Sequence, residues 1–444
     1  MKKYLKYLFF IVLIALVGAG IWFFMIYFEG EEPEIVLDRD TNVIGQKTVL
    51  DFTCIDKKSG IRTVSASISQ NGKTYTLGLL NFPQREIRKK TVTINAVPED
   101  LKLDDGVATI DIVVTDHSLR KNTRAISFDV VIDTTPPVIS PEGFASYISP
   151  GGSCVAVYSI SEDVSKSGVR VNDTFFPSYP ETVPDGIRYI SYFAIPLDAT
   201  KKNLKIDILA EDRGSNTSLC PVSFYLRNKK FRADRMNISQ RFLEIKMPEF
   251  DQRYKDFKET TLLETFIRIN REMRENNFQT IEAICSHTQP ERLWEGTFLR
   301  MRNSATMATF GDRRTYYHNG KRISKSVHMG IDLASTRNAA VKASNDGIIV
   351  FAEYLGIFGN TIIMDHGMGI FSLYSHLSSI SVSKDQVVRK GETIGRTGNT
   401  GLAGGDHLHF SMIVGGKFVN PLEWWDSHWI KDNITRKLPS SYAQ

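Results

Sequence analysis

The chain has 444 residues and a formal net charge of +5, with 42% apolar and 24% charged residues. This length exceeds one compact domain and, at about 150 residues per domain, suggests roughly three. The composition excludes a disordered or collagen-like chain, and four cysteines exclude a disulfide-rich scaffold. The positive charge is mild and dispersed, so we predict no nucleic-acid partner.

The N-terminal segment predicts a membrane anchor. Residues 7–28 carry no charge, and as a helix they would span about 33 Å, roughly one hydrocarbon core. Lys2, Lys3 and Lys6 precede this run and glutamates follow it, so the N-terminus is expected inside. A cleaved signal peptide is the alternative, but its apolar core is usually only about 7–15 residues long. We therefore predict a single-pass anchor in the cytoplasmic (inner) membrane over residues 1–29, with the remaining chain in the periplasm or cell-wall space.

The region that follows has the pattern of strand-rich modules. Short runs of Val, Ile and Thr alternate with turn residues, including Asn-Gly at 71–72 and Asp-Gly at 105–106, which favour antiparallel hairpins. This pattern predicts two immunoglobulin-like (Ig-like) β-sandwiches, at 33–133 and 138–228. Their loose resemblance to bacterial Ig-like modules suggests spacers, or surfaces that dock envelope proteins.

The two modules share a weak internal repeat. Its elements are an Asp before a Ser-Gly pair and a later Asp followed by an Asn: Asp56, Ser59-Gly60, Asp116 and Asn122, then Asp163, Ser167-Gly168, Asp212 and Asn216. The copies lie about 100 residues apart, one sandwich length. Cys154 and Cys220 fall in the second module and would be able to form a disulfide in an oxidising compartment.

A helical connector is predicted at 235–290. Leu262, Phe266, Ile269 and Met273 recur at three- and four-residue spacing, which places them on one face of an amphipathic helix. Such a stripe is typical of core packing, so it is assigned no chemistry.

The C-terminal region concentrates five of the nine histidines between positions 328 and 409. His328 and Asp332 would be about 13 Å apart on a straight strand, so they can share a metal only if the chain bends. Gly330 permits such a bend. His407 and His409 would face the same side of a strand, about 6.6 Å apart.

Two histidines and one aspartate are the ligand count of a catalytic zinc with one position left for water. A structural zinc would more often have four ligands including cysteines, and the sequence has no cysteine after Cys285. The same set would suit non-haem iron, but further histidines such as His376, placed for proton transfer, fit hydrolysis better.

The stretch from about 306 to 425 resembles the lysostaphin/LytM-type zinc metallopeptidases, which cut peptide bonds in peptidoglycan. The matching motifs are His328-x-x-x-Asp332, Asp365-His366-Gly367, Tyr374-Ser-His-Leu377, Gly391-Glu-Thr-Ile-Gly395, Gly398-Asn-Thr-Gly401 and His407-Leu-His-Phe410. The resemblance implies an antiparallel β-sheet peptidase domain at 300–430 in a mainly β, multidomain chain.

The resemblance also implies residue roles. His328, Asp332 and His409 would hold one zinc ion, and His376 and His407 would be the catalytic histidines, with the general base unassigned between them. His366 is expected to be structural.

The implied function is a zinc metalloendopeptidase that opens peptidoglycan stem-peptide cross-links with a zinc-activated water and histidine acid/base groups. A D-Ala–diaminopimelate bond is favoured over a glycine bridge. Two alternatives stay open: a catalytically silent scaffold that activates a cell-wall amidase, and a protease that acts on envelope proteins.

Overall fold

The structure of the chain is a computed structural model. It describes four ranges: 2–38, 41–143, 145–254 and 261–439. Some positions of the segments predicted from the sequence lie outside the described residues: 1, 39, 40, 144 and 255–260. The chain is mainly β, as predicted, and divides into two compact units. The first comprises residues 1–137, 162–165 and 211–218, and the second comprises 138–161, 166–210 and 219–444. The five-part domain division stays a prediction.

A single long helix, α1 (Lys2–Tyr27), begins the described chain. Within it, Lys6–Met25 is long and apolar enough to cross a membrane, by length and composition. This span is not buried against the rest of the protein, so its apolar side chains have no protein core to occupy. It is a candidate membrane anchor or signal sequence, and the choice of an anchor stays a prediction.

The first unit contains two sheets around one core. Its strands are β1 (Glu34–Leu37), β2 (Val43–Ile44), β3 (Thr48–Ile55), β4 (Ile61–Gln70), β5 (Lys73–Asn81), β6 (Lys89–Ala96), β7 (Gly106–Asp116) and β8 (Thr123–Ile132), with a short helix α2 (Pro98–Leu101). They form the sheets β1-β3-β6 and β2-β8-β7-β4-β5. Buried and half-buried positions alternate along β7, so its inward face joins the core with Phe52 and Val92 of the other sheet. Assignment of this module to the Ig-like class stays a prediction.

The next ten strands also form sheets with antiparallel pairs. They are β9 (Ile139–Glu142), β10 (Ser146–Ile148), β11 (Ser153–Ile160), β12 (Val164–Val171), β13 (Thr174–Pro177), β14 (Tyr179–Val183), β15 (Gly186–Ala194), β16 (Ile206–Asp212), β17 (Thr217–Pro221) and β18 (Phe224–Leu226). Their orders are β14-β15-β11-β9 and β13-β12-β16-β17, with a parallel pair β10-β18. Cys154 and Cys220 are free thiols here.

Within the second unit, residues of this module share a hydrophobic core with the C-terminal region. Tyr192 packs edge-on to Trp294, with ring centroids 6.3 Å apart. The fully buried Trp424 donates its indole N–H to the Ser153 hydroxyl at 3.1 Å. Trp424 is therefore a core residue of the second unit.

Strand β19 (Ala233–Asn237) and a group of helices precede the C-terminal sheet. The helices are α3 (Gln240–Arg253), α4 (Leu262–Arg268), a π-helical turn (Ile269–Met273) and α5 (Arg274–Ile284). Thr261 caps α4 reciprocally with Glu264. Phe266, Ile269 and Met273 are buried as the stripe predicted. The Arg274 guanidinium donates to the Asn270 side-chain oxygen at 2.8 Å.

The C-terminal region is built on an eight-stranded sheet. Its strands, with those of two smaller sheets, are β20 (Ala305–Ala308), β21 (Arg313–His318), β22 (Lys321–Val327), β23 (Ile331–Ala334), β24 (Ala340–Lys342), β25 (Gly347–Leu355), β26 (Gly359–Asp365), β27 (Ile370–Leu377), β28 (Ser379–Ile380), β29 (Val387–Val388), β30 (Thr393–Arg396), β31 (Leu408–Val414) and β32 (Lys417–Val419). The large sheet runs β20-β23-β31-β27-β26-β25-β29, with β32 beside β31. The helices α6 (Pro421–Trp425) and α7 (Ser427–Ile430) follow.

Candidate metal centre

Sheet register brings the first two candidate ligands together. Strands β23 and β31 are antiparallel neighbours, and Asp332 lies directly opposite His409 in that ladder. Side chains of directly opposed residues lie on the same face, so the two groups meet without help from a loop. Their closest atoms, Asp332 Oδ1 and His409 Nδ1, are 2.8 Å apart.

His328 joins them because the chain bends just before β23. His328 Nε2 lies 2.8 Å from Asp332 Oδ1 and 2.9 Å from His409 Nδ1. The bend passes against β31 so closely that a Cβ at Gly330 would lie 2.6 Å from His409 Nε2. Glycine is therefore needed at position 330 because only a residue without a side chain lets the bend lie this close to β31. The sequence indicated only that glycine would permit the bend.

Each of the two histidines also makes a hydrogen bond through its outward-facing nitrogen. His328 Nδ1 is 3.0 Å from the Thr309 carbonyl, to which it donates, and His409 Nε2 is 3.0 Å from the Ser411 hydroxyl. The carbonyl can only accept, so His328 Nε2 carries a lone pair. With the Ser411 hydroxyl as acceptor, His409 Nδ1 carries one as well, and both nitrogens then face one carboxylate oxygen. Three electron-pair donors that converge within 3 Å fit a cation, and the outer hydrogen bonds are those that orient metal-bound histidines.

Asp332 is held ionised by its neighbours. Burial alone would raise the pKa of its carboxyl, but the adjacent His328, His407 and His409 together bring that pKa well below its usual range. Arg314 donates to the other carboxylate oxygen, Oδ2, at 3.0 Å. Oδ1 is thereby left facing the histidines, as a metal-binding carboxylate requires.

His376 and His407 lie on the same face, beside these three groups. Their ring centroids are 4.8 Å apart, and His376 is 5.8 Å from the His409 ring. His376 is the penultimate residue of β27 and has a φ of +61°, a left-handed conformation that is costly for a residue with a Cβ and is concentrated at functional sites. Its Nδ1 donates to the Thr400 carbonyl at 2.8 Å, which fixes the ring.

The two histidines differ electrostatically. Burial, with the nearby His407 and His409, lowers the pKa of His376 well below its usual value. Burial also acts to lower the pKa of His407, but the adjacent Asp332 carboxylate outweighs it and raises that pKa. His407 Nε2 lies 3.6 Å from Asp332 Oδ1, and its Nδ1 donates to the Gly405 carbonyl.

A cavity of about 620 Å³ opens over these groups. Its walls come from the helical segment as well as from the sheet and its loops: Phe242, Phe266, Arg274, Phe358 and Leu402 are among them. The sequence assigned the helices no chemistry, and no local signal marks them as cleft walls. Arg314 was also missed, because it belongs to β21, which lies in a different sheet from Asp332.

His366 lies apart from the candidate centre. It is fully buried, with Nδ1 at 2.6 Å from the Asp346 carbonyl and Nε2 at 2.7 Å from the Ser372 hydroxyl. Burial lowers its pKa to about 4, so it is a neutral packing residue.

Comparison with known proteins identifies the region that carries this centre. Residues 326–421 match Peptidase family M23. This segment is an M23 peptidase domain. The predicted resemblance to lysostaphin/LytM-type peptidases is thereby confirmed for the C-terminal region, and M23 peptidases are generally zinc metallopeptidases.

Three similar proteins illustrate the range of this family. DD-carboxypeptidase/endopeptidase Mpg of Neisseria gonorrhoeae is 42% identical over 96 residues, 22% of this chain and 22% of Mpg. Murein hydrolase activator NlpD of Salmonella typhimurium is 36% identical over 102 residues, 23% of this chain and 27% of NlpD. The catalytic domain of lysostaphin from Staphylococcus simulans is 28% identical, with a TM-score of 0.25; the alignment covers 29% of this chain and 96% of that domain.

Each of these three alignments covers less than a third of the chain. This chain spans only about a fifth of the length of the first curated relatives that it matches.

Proposed function

We propose that the protein is a membrane-anchored zinc metalloendopeptidase that hydrolyses peptide cross-links of peptidoglycan. The observation that carries this proposal is the convergence of His328 Nε2, Asp332 Oδ1 and His409 Nδ1 within 2.9 Å of one another. Two further histidines on the same face supply groups for proton transfer. Degenerate centres that lack a ligand would not have this complete set.

The donor set fits one zinc ion. Two imidazole nitrogens and one carboxylate oxygen are a common ligand set of catalytic zinc, which leaves a coordination position for water. Zinc bound by His328, Asp332 and His409 would lower the pKa of its water towards about 7 and polarise a carbonyl. Non-haem iron accepts the same three ligands, so metal content is a necessary part of the test.

His376 and His407 act as the acid/base pair in this proposal. Each ring donates its Nδ1–H to a backbone carbonyl, at Thr400 and Gly405 respectively, so Nε2 is the nitrogen left to exchange a proton. A histidine can take a proton from the attacking water and deliver one to the leaving amine near neutral pH. Arg314 orients the Asp332 carboxylate and contacts neither reacting group, so it is a positioning residue.

The proposed substrate rests on the proposed location and on the family together. The apolar helix α1 would anchor the chain in the cytoplasmic membrane, with the M23 domain outside, where the wall is. Relatives are named endopeptidases of peptidoglycan or its hydrolase activators. We favour the D-Ala–diaminopimelate cross-link, with the Ig-like modules as spacers or docking surfaces.

Digestion of purified sacculi by the full chain in detergent tests the proposal. Wild type should release muropeptides whose masses identify an opened peptide cross-link. His409→Ala should lose both zinc and activity, whereas His376→Ala should keep zinc and lose most turnover. His428→Ala is the matched control, because that side chain is 93% exposed. Zinc-loaded wild type that opens no peptide bond would contradict the proposal.

The second candidate function is activation of a separate cell-wall amidase. The similarity to NlpD, which is named a murein hydrolase activator, is the observation that favours it. In that case the full chain would cut nothing alone but would increase amidase release of stem peptides from sacculi. His376→Ala would then activate as well as wild type. Cleavage of envelope proteins with sacculi left intact would instead support the third candidate, a protease that acts on envelope proteins.

A further inference from the structure

One arginine in the wall of the metal-site cavity has no acidic partner. Arg274 is half-buried and lines the cavity of about 620 Å³ that opens over the candidate metal centre. The other two arginines of this wall are paired, Arg314 with Asp332 and Arg232 with Asp234. Among the described residues, no carboxylate forms an ion pair with Arg274.

Hydrogen bonds hold the Arg274 guanidinium against the wall. Its Nη2 donates to Asn270 Oδ1 at 2.8 Å, and its Nε donates to the Asn270 carbonyl at 3.2 Å. Asn270 is itself buried, and its amide donates to Ser324 Oγ of β22 at 2.7 Å. A guanidinium has five N–H groups, and these contacts with the described chain use two of them. The arginine is therefore oriented by the protein and keeps donors for a ligand.

The strands that hold Arg274 also reach the metal centre. Ser324 of β22 lies opposite Tyr316 of β21, and Arg314 lies two residues before Tyr316, on the same face of that strand. Arg314 in turn donates to Asp332 Oδ2 at 3.0 Å. Burial lowers the pKa of the Arg274 guanidinium, and the like charge of Arg314 acts in the same direction. Two positive charges therefore lie near each other beside the proposed zinc ligands.

An arginine in such a position needs a negative ligand. Its charge is permanent, and a partly buried charge without a counter-ion is unfavourable. The apolar rings of Phe242 and Phe266 belong to the same wall, and apolar surroundings strengthen the attraction of a buried charge for an opposite one. The turn before Arg274, Ile269–Met273, is π-helical, a distortion that is frequent at functional sites.

The whole cavity favours an anionic ligand once zinc is bound. Three arginines and three aspartates are its arginine, lysine and carboxylate residues among the described chain, so their formal charges cancel. A zinc ion would add two positive charges to this balance, and a cleft lined by one sign of charge attracts the opposite sign. The aspartate with no arginine partner, Asp406, instead accepts from the Thr397 hydroxyl at 2.6 Å and from the Asn338 N–H at 3.2 Å.

We propose that Arg274 is a specificity-determining residue that binds a free carboxylate of the substrate beside the scissile bond. This inference rests on the proposed endopeptidase function. In a D-Ala–diaminopimelate cross-link, the carbon that bears the scissile amide nitrogen also bears a carboxylate, whereas a bond inside a glycine bridge has none. A guanidinium binds a carboxylate through two parallel hydrogen bonds. Arg274 thereby selects the diaminopimelate cross-link.

Two cross-linked muropeptides test this assignment. They differ only in the diaminopimelate carboxylate next to the scissile bond, which is free in one and amidated in the other. We expect the zinc-loaded full chain in detergent to cleave the free form with a kcat/KM about 10- to 100-fold higher, as a hydrogen bond to a charged group would give. Arg274→Gln should lose this preference by slowing only on the free form. Arg271→Gln, a matched change at an exposed position of the same helical segment, should keep it.

Binding gives a second readout that does not depend on turnover. Calorimetry with zinc-loaded His376→Ala should show the same preference for the free form, and addition of Arg274→Gln should abolish it. If Arg274→Gln fails to fold, Arg274→Lys keeps the charge without the two parallel hydrogen bonds and should lose part of the preference.

The outcomes separate this inference from the proposed function. If wild type opens neither peptide while His376→Ala still binds the free form more tightly, the endopeptidase proposal fails and the assignment of Arg274 is supported. The assignment is overturned if the amidated peptide binds as well as the free form, or if neither binds. It is also overturned if Arg274→Gln weakens binding and cleavage of both peptides alike, because that result would indicate a purely structural role.

Discussion

Substitution of Gly330 by alanine provides the most informative test of how the metal centre is assembled. A Cβ at this position would lie 2.6 Å from three atoms of β31: His409 Nε2, the Phe410 carbonyl oxygen and Ser411 Oγ. Ordinary contact begins near 3.4 Å, so β23 and β31 would have to separate locally by about 0.8 Å. Asp332 and His409 are paired across this strand boundary, so the separation acts directly on two ligands.

The expected losses follow from that displacement. Overpacking a well-packed site costs about 1–3 kcal/mol of stability. Disturbance of the groups that orient metal ligands weakens metal binding about 10- to 100-fold. A misplacement near 1 Å can lower turnover about 100-fold. We therefore expect Gly330→Ala to fold, bind zinc at least about tenfold more weakly and release muropeptides about 100-fold more slowly.

Competition with a chromogenic zinc chelator and sacculus digestion measure these two losses. Gly404→Ala is the matched control, because a Cβ there meets nothing within 4 Å although the loop lies close to the centre. The reasoning is refuted if Gly330→Ala retains wild-type zinc affinity and turnover. It is equally refuted if Gly404→Ala loses as much as Gly330→Ala.

Three further predictions concern the groups around the centre and the core. Ser411→Ala removes the partner of His409 Nε2, so zinc affinity should fall about tenfold in the chelator assay while the urea midpoint changes little; unchanged affinity would contradict the tautomer argument. Burial raises the pKa of the Glu423 carboxyl to about 7, so the folded state binds this proton more tightly than the unfolded state and is more stable at low pH. Wild type should therefore lose about 2–3 kcal/mol of stability as pH rises from about 4.5 through 7, and Glu423→Gln should lose that pH dependence in urea titrations. Burial lowers the pKa of His366 to about 4, so stability should fall as pH drops from about 6.5 towards 4, and His366→Gln should flatten that slope; a variant with the wild-type slope would show that another group is responsible.

The sequence was informative about the centre because its ligands occupy short local patterns. A His, a glycine and an Asp within five residues implied a bend, and the alternation of His407 and His409 implied a shared face. The structure brings all five predicted residues to one cleft. Their roles as ligands and acid/base groups remain proposals, since those roles depend on a bound metal and a substrate.

Other features were beyond local patterns. Arg314 contacts Asp332 from the start of β21, a strand of another sheet, and no spacing rule connects the two residues. Alternation predicted half-buried strands in the second module, but it does not specify what covers them. The contacts of Ser153 and Tyr192 with Trp424 and Trp294 answer that question through side chains far apart in sequence. Tertiary packing determines such contacts, and hydrophobic periodicity does not report it.

The connector helices show the same limit. The stripe containing Phe266 and Ile269 was correctly interpreted as core, because apolar residues on one helix face need a partner surface. That Phe266 also lines the cleft over the candidate metal centre depends on where the helix packs. Periodicity gives the buried face of a helix but not its neighbour.

Zinc K-edge X-ray absorption of the full chain, with metal content measured on the same sample, tests the central claim most directly. We predict one zinc per chain, bound by two imidazole nitrogens and a carboxylate oxygen with no sulfur, and loss of that signal in Asp332→Ala. Sulfur ligation, a fourth protein ligand, or zinc binding unaffected by Asp332→Ala would contradict the account.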